Sequence, residues 1–376
     1  MSSTPLIWAE IDLRAVARNI ARLKTLAGDH CELMAVVKAN AYGHGMCQIA
    51  DTALANGAAS LGVARIEEAL ALRDHGIKAP VLVFGYTPTS FCRQLCEKEI
   101  TPTVFSLADA TALSQAATAC GKIIRTHLKV DTGMGRLGLD AVSTDAAPEI
   151  IRIARRPGLA LEGIYTHFAS ADSQDKTDAE NQLGIFRSLL ARLEDSGVRI
   201  PVRHAANSAA LITMPEARLD MVRTGLSVYG LYPADHMRGD VIALEPAMAL
   251  KTRIVQLKTV CAGFKVSYGS TYKTPVPTTL AVVPVGYADG YNRLLSSRGE
   301  MLVSEGRVPV VGRVCMDLTV LDVGHIGNVQ VEDEVVVFGR QGDAAITADE
   351  IAETLDTINY EIVSTIPERV PRIFLK

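Results

Sequence analysis

Much that would direct a reading elsewhere is missing from this chain of 376 residues. No apolar run approaches the roughly 20 residues of a membrane-spanning helix. The opening Met1-Ser2-Ser3-Thr4-Pro5-Leu6-Ile7-Trp8-Ala9-Glu10 lacks the basic start and apolar stretch of a secretion signal. There is no basic stripe and no aromatic-plus-arginine pattern, and 38 basic against 42 acidic residues leave a net charge of only −4. The seven cysteines are odd in number and lack metal-ligand spacing. Cys92 and Cys96 could share a helix face, but no histidine or cysteine pair nearby completes a site. Repeats, low-complexity linkers and charge blocks are absent as well. These absences predict a cytoplasmic protein with reduced thiols, no metal, no nucleic-acid partner and no membrane.

What is present is length enough for two domains, an ordinary 48% of hydrophobic residues, and a strong alternation of patterns. Short β-branched runs recur at Leu33–Lys38, Ser60–Ala64, Pro80–Phe84, Thr101–Phe105, Ile124–Val130, Leu161–His167, Arg203–Asn207 and Met221–Thr224. Alanine-rich helix candidates lie between them, at Ile66–His75, Leu107–Cys120, Pro148–Arg156 and Ala179–Ser196, and several stop at glycine. Parallel strands need crossovers long enough for a helix, and eight such units predict a closed (β/α)8 barrel. The competing open, doubly wound sheet would carry a dinucleotide-type glycine fingerprint after a strand, which is not found. Ile7–Leu13 reads as a strand and Arg14–Leu26 as a helix.

After Gly230 the helices nearly vanish. Lys251–Val260, Lys265–Tyr268, Thr279–Val285, Met301–Val303, Val308–Val314, Leu318–Val323 and Glu334–Phe338 read as short strands of a small mainly-β domain. One helix, Ile351–Ile366, is expected to close it, opened by a Thr347/Glu350 capping box and stopped by Pro367. The predicted organisation is a barrel over 10–238 and a mainly-β domain over 239–376, with residues 1–9 packing against the latter.

Barrel enzymes carry their chemistry at the carboxyl ends of the strands, and here those ends are polar. Lys38 closes the first, where an apolar run meets a glycine-rich turn. Desolvation there favours a neutral amine able to form a Schiff base with a carbonyl compound, pyridoxal phosphate being the commonest such cofactor. Lys129-Val130-Asp131 and Arg136 follow the fifth strand, His167 the sixth, His204 and Ser208 the seventh, and Arg223-Thr224-Gly225 the eighth. Singly, each has a plain reading: Lys129 with Asp131 as a surface ion pair, His167 as a satisfied core residue. Together they describe one polar ring, with a phosphate-ready corner at Ser208 and Gly225.

Those motifs resemble the alanine racemase family from about Trp8 to Phe374: Ala35–Gly45, Asp131–Gly138, Thr166–Ala169, His204–Ala209, Arg223–Gly230, Val266–Gly269, Pro284–Tyr291, Arg313–Asp317, Ile358–Ile362 and Arg369–Arg372. Departures such as Leu226, Val228, Leu318 and Phe374 avoid the family's catalytic positions. The resemblance implies a racemase interconverting L- and D-alanine on pyridoxal 5′-phosphate. Lys38 would carry the cofactor, and Tyr42, Ser208, Gly225, Leu226 and Tyr360 would hold its phosphate. Arg223 would face the pyridine nitrogen, with His167 packing beside the ring. Arg136 and the Met316 backbone N–H would meet the substrate carboxylate, with Asp317 in the same motif. Tyr268, from the partner subunit of a homodimer that shares its sites, would be the second base, and Tyr287 would reach in from that subunit. Lys129 would be a candidate for carbamylation. His204 and Arg136 are the groups expected to favour a Tyr268 phenolate. D-alanine would be supplied for peptidoglycan, or degraded. The alternatives are a racemase of broader range, a decarboxylase on the same scaffold, which lacks a glutamate for the pyridine nitrogen, and a non-catalytic cofactor carrier, for which the β domain is superfluous.

Overall fold

The computed structural model describes residues 5–239 and 241–376. The chain divides into two compact units: Ala15–Ala41 with Met46–Pro246, and the N-terminal segment through Arg14 with Tyr42–Gly45 and Ala247–Lys376. Of the N-terminal segment expected to pack with the β domain, residues 1–4 lie outside the described residues.

The first unit is a parallel eight-stranded barrel of Glu32–Val36, Ser60–Val63, Val81–Val83, Ile100–Val104, Ile124–Asp131, Leu159–Tyr165, Val202–His204 and Met221–Thr224. The last strand returns to the first in parallel register, Met221 opposite Glu32 and Thr224 opposite Ala35. Between the seventh and eighth strands closure rests on single backbone bonds, Asp220 N–H to Arg203 O (3.1 Å) and Arg223 N–H to Ala206 O (3.0 Å). The strands are buried and valine- or leucine-rich because helices cover the outside and side chains fill the inside. The helices form where the alanine-rich 3.6-residue period lies. Ser106 caps Leu107–Ala119 by accepting from Asp109 N–H, and Gly76 ends Ile66–His75 at φ +105°.

The second unit is built on sheets. Ile7–Asp12 lies between antiparallel Met248–Arg253 and parallel Arg372–Leu375. Gln256–Val260, Thr278–Val283 and Thr319–Asp322 form a separate three-stranded sheet. The run expected as one strand, Lys251–Val260, is therefore two, because the chain changes sheets at Ile254-Val255: Ile254 N–H bonds Asp333 O and Val255 N–H bonds Val282 O. The closing helix is likewise two pieces, Ala348–Leu355 and Asn359–Ser364. The Thr347/Glu350 capping box is present, but Asp356 turns left-handed at φ +55° and ends the first piece.

Candidate active site

Lys38 follows the first barrel strand and begins a turn that the sequence did not announce. Ala39, Asn40, Ala41 and Tyr42 all take φ between +51° and +54°. A left-handed conformation costs an L-residue about 1–2 kcal/mol, so four in a row need external support. Ala41 N–H bonds Val37 O (2.8 Å), Asn40 Oδ1 accepts from Met46 N–H (2.8 Å), and Glu68 Oε1 accepts from Ala39 N–H (2.6 Å). Burial, then the Arg136 cation, lower the Lys38 pKa, while Glu68 pulls it up.

Arg223, on the eighth strand, is 4% exposed. Nη1 donates to His204 Nδ1 (2.9 Å), and Nη2 serves Thr166 O, Ala205 O and His167 Nδ1 at 2.8–3.2 Å. No described carboxylate bonds it. A guanidinium only donates, so His204 Nδ1 accepts and its proton sits on Nε2, which donates to His127 Nδ1 (2.9 Å). Burial, then Arg223, push His167 and His204 well below the usual histidine range and His127 down to about 4. Arg223 is itself drawn down by burial to about 10 and stays charged at neutral pH. His204 also stacks on Tyr165, ring centroids 4.7 Å apart. It is thus neutral with both nitrogens taken inside the barrel, and cannot lend the positive charge expected of it toward a tyrosine. His127 was not anticipated. The signal was its place two residues before Lys129 on one strand, which puts both on the same face.

Lys129 and Asp131 are not the surface ion pair that their spacing allowed. Lys129 is buried, its Nζ 5.9 Å from the Tyr165 ring centroid, and burial, Arg136 and Arg223 lower its pKa to about 8. Asp131 turns instead to its own loop, accepting from the N–H groups of Gly133 (2.9 Å), Met134 (2.8 Å) and Arg136 (3.0 Å). Burial raises the Asp131 pKa, but those backbone donors outweigh it and leave the carboxylate below its ordinary value. That loop carries Arg136, whose side chain is exposed. Gln182 holds the neighbouring loop by bonding Thr132 Oγ1, His167 O and Ala169 N–H.

At the opposite corner Ser208 Oγ accepts from Gly225 N–H (3.0 Å), which leaves its own hydrogen to donate. Leu226 and Ser227 open the 3-10 turn Leu226–Tyr229, so their N–H groups have no acceptor within it. The Ser227 hydroxyl is fully buried and unbonded. Backbone and hydroxyl donors therefore gather around Ser208, Gly225 and Leu226.

The remaining expected residues lie in the second unit. Tyr42 and Tyr360 tilt against each other, centroids 6.2 Å apart, and burial followed by Tyr360 raises the Tyr42 pKa. Gly43, next to them, sits at φ +84°, and a Cβ there would fall 2.2 Å from Val363 O. Tyr268, Tyr287 and Met316 come together through the 313–317 loop. Ser267 Oγ donates to Arg313 O (2.6 Å), Tyr287 N–H to Cys315 O (3.1 Å), and Ala288 N–H to Met316 O (3.0 Å). Asp317 accepts from Arg369, which also donates to the buried Asp289; Asp289 in turn holds Gly286 N–H. The three side chains point outward, 72%, 42% and 53% exposed.

The family model described as "Alanine racemase, N-terminal domain" matches residues 11–233, and "Alanine racemase, C-terminal domain" matches 247–374. The chain belongs to the alanine racemase family. A relative named alanine racemase from Desulfosudis oleivorans is 58% identical over 98% of this chain and 96% of its own. Among solved structures, alanine racemase of Clostridium difficile 630 superposes with a TM-score of 0.95 at 37% identity, covering 100% of this chain and 97% of that one. Alanine racemase from Bacillus anthracis, solved with bound L-Ala-P, gives 0.94 at 38%, covering 100% and 96%. The barrel followed by a mainly-β unit is thus the racemase architecture, and the chain is a member of a family of isomerases. Among the described residues no helix is long and apolar enough to cross a membrane, and no cluster of three metal-ligating side chains occurs.

Proposed function

We propose that this chain interconverts L- and D-alanine with pyridoxal 5′-phosphate held at the barrel's strand ends. The observation that carries the reading is Arg223: a buried, charged guanidinium with no carboxylate partner, given to neutral histidines and carbonyls. Burying an uncompensated cation is costly, and the cost is understandable where the cation meets a ligand. Arg223 has five N–H donors and four acceptors, and Nε–H bonds nothing among the described residues. The barrel residues fit the cofactor on three counts: this donor for the ring nitrogen, the desolvated Lys38 amine for the aldehyde, and, for the phosphate, the Ser208 hydroxyl, which Gly225 N–H orients, with the Leu226 N–H beside it. Tyr42 and Tyr360 are assigned to the phosphate with them, and His167 to the flank of the ring.

Bound pyridoxal phosphate supplies an aldehyde that takes amino groups in covalent linkage and a ring that accepts charge as a Cα–H bond breaks. The chain's own residues govern the course of the proton. Lys38 Nζ, its pKa lowered by burial, removes or returns the Cα proton on one face of the substrate. Tyr268 of a second copy of the chain does the same on the other face, and inversion needs both. Arg136 and the Met316 N–H orient the substrate carboxylate, and Arg136 is the remaining candidate to favour a Tyr268 phenolate, His204 being neutral. Arg223 donates to the ring nitrogen and so disfavours its protonation. That limits how much charge the ring accepts and directs the proton straight back to Cα.

Lys129 gives a further role. An amine titrating near 8 is still mostly protonated at neutral pH, but its neutral fraction, the form that reacts with carbon dioxide, is far larger than that of an ordinary lysine. Carbamylation would replace a cation crowded by Arg136 and Arg223 with a carboxylate that pairs with them. The outward Tyr268, Tyr287 and Met316 support a homodimer in which each copy contributes to its neighbour's site, and the reading places the enzyme in the cytoplasm, making or consuming D-alanine of peptidoglycan.

Assaying interconversion of L- and D-alanine beside serine, lysine and ornithine tests the proposal. Alanine alone turned over supports it; equal rates on the larger substrates would establish the broader-range racemase instead, and binding of cofactor without any turnover the carrier.

A further inference from the structure

The left-handed turn that carries Lys38 is held to the barrel by one side chain that none of the expected roles includes. Glu68 lies in the first turn of Ile66–His75. Its Oε2 accepts from Ala64 N–H (2.7 Å) and Arg65 N–H (3.0 Å), the ordinary service of a capping-box glutamate. Its Oε1 does something a cap does not require: it reaches across to the strand-one turn and accepts from Ala39 N–H at 2.6 Å, the residue next to Lys38. One carboxylate thus ties three backbone donors from two consecutive strand ends.

We propose that Glu68 is a positioning residue for Lys38, fixing the turn Ala39–Tyr42 in its left-handed form and thereby the place of the Lys38 amine. Ala39, Asn40 and Ala41 are not glycine, so the backbone does not favour this conformation unaided. Its supports include Ala41 N–H to Val37 O, Asn40 Oδ1 from Met46 N–H, a His44 Nδ1–Tyr42 O bond (3.0 Å), and Glu68 Oε1 from Ala39 N–H. The Glu68 bond is charge-assisted, and charge-assisted bonds to backbone N–H are the stronger kind. Its second effect is electrostatic. Burial and Arg136 lower the Lys38 pKa, and Glu68 is the group opposing them.

The inference rests on Lys38 being the cofactor lysine, and the test separates the two. Glu68→Gln, Glu68→Ala and, as control, the exposed neighbour Glu67→Gln are compared with wild type and Lys38→Ala. The readouts are thermal unfolding, the cofactor dissociation constant, and the pH dependence of Lys38 acylation in cofactor-free protein, mapped by mass spectrometry. Glu68→Ala should weaken cofactor binding about tenfold or more, the equivalent of 1.4 kcal/mol, and shift Lys38 acylation to lower pH. Glu68→Gln, keeping one acceptor oxygen but no charge, should show the same pH shift and a smaller loss of affinity; it stands in should Glu68→Ala fail to fold. Glu67→Gln should match wild type. A lowered melting temperature with unchanged affinity and unchanged Lys38 titration would make Glu68 a helix cap only and overturn the proposal. Retention of covalent cofactor by Lys38→Ala would instead overturn the assignment of Lys38.

Discussion

Arg223 and Lys129 are both buried cations, and the difference in their surroundings separates their roles. Arg223 has four acceptors and is fixed; Lys129 has a tyrosine face at 5.9 Å, and the cations around it, Arg136, Arg223 and Lys38, outnumber the one carboxylate that favours its charge, Asp131. Replacing Lys129 with the similarly sized Met should therefore raise stability by about 1–3 kcal/mol at neutral pH in buffers free of carbon dioxide. The sign comes from linkage. The Lys129 pKa is lowered in the folded chain, so below about 8 both states are protonated and the folded one carries the full cost of burial. Between there and the ordinary lysine value of 10.5 the unfolded chain binds more protons, wild-type stability rises, and the advantage of Lys129→Met closes. Urea unfolding at neutral pH and again near the ordinary lysine value checks this; a gain that does not shrink with pH would rule out a titrating amine. For Arg223 the consequence is chemical. Arg223→Glu, which would favour a protonated ring nitrogen, should raise transamination relative to racemisation, seen as accumulating pyruvate; an unchanged ratio would remove the arginine from control of the reaction course.

Elements bounded by strong local signals were legible in the sequence, and those decided by partners were not. The barrel strands stood out because each is a short β-branched run between helical periods, and Ile66–His75 could be read from its pattern and from Gly76. Polar residues at strand ends likewise marked Lys38, Arg136, His167, Ser208 and Arg223 as candidates, and the structure places each at or just after a barrel strand. Hidden were features set by distant atoms. Ala39-Asn40-Ala41-Tyr42 has the composition of an ordinary turn, and the groups that hold it left-handed, Glu68, Val37 and Met46 among them, cannot be read from those four residues. Arg372–Leu375 is a strand because Ile7–Asp12 offers it an edge. The break at Asp356 lacks the glycine that usually marks one. Where the local signal is complete, its energetic weight can be tested. Thr347→Ala removes the hydroxyl that accepts from Glu350 N–H (3.1 Å) and should cost about 1 kcal/mol. In a chain this long that lowers the melting temperature by only about 2–4 °C, with activity retained. A loss well beyond that would mean the cap supports more than its own helix.

At the scale of the whole molecule the exposed tyrosine is the feature most in need of a partner. Tyr268 is 72% exposed, and Tyr287 and Met316 stand outward beside it with Leu318 and Ile358 also exposed on the same unit. Three large side chains, Tyr268, Tyr287 and Met316, held outward around one loop are the kind of exposure that a partner covers. If a second copy covers it about a two-fold axis, each chain gives Tyr268 to its neighbour and receives one back. Dilution should then lower activity per chain in step with dissociation, measured by light scattering on the same samples. Complementation decides more sharply. Lys38→Ala and Tyr268→Phe homodimers should each be inactive, since every site in them lacks one base. In a mixed dimer one site collects both substitutions while the other collects neither. Equal amounts, unfolded and refolded together with cofactor, give mixed dimers in about half the population, each with one intact site of two, so activity should return to about a quarter of wild type. Bases drawn from a single chain predict no recovery at all from the same mixture, because every chain in it carries a defect.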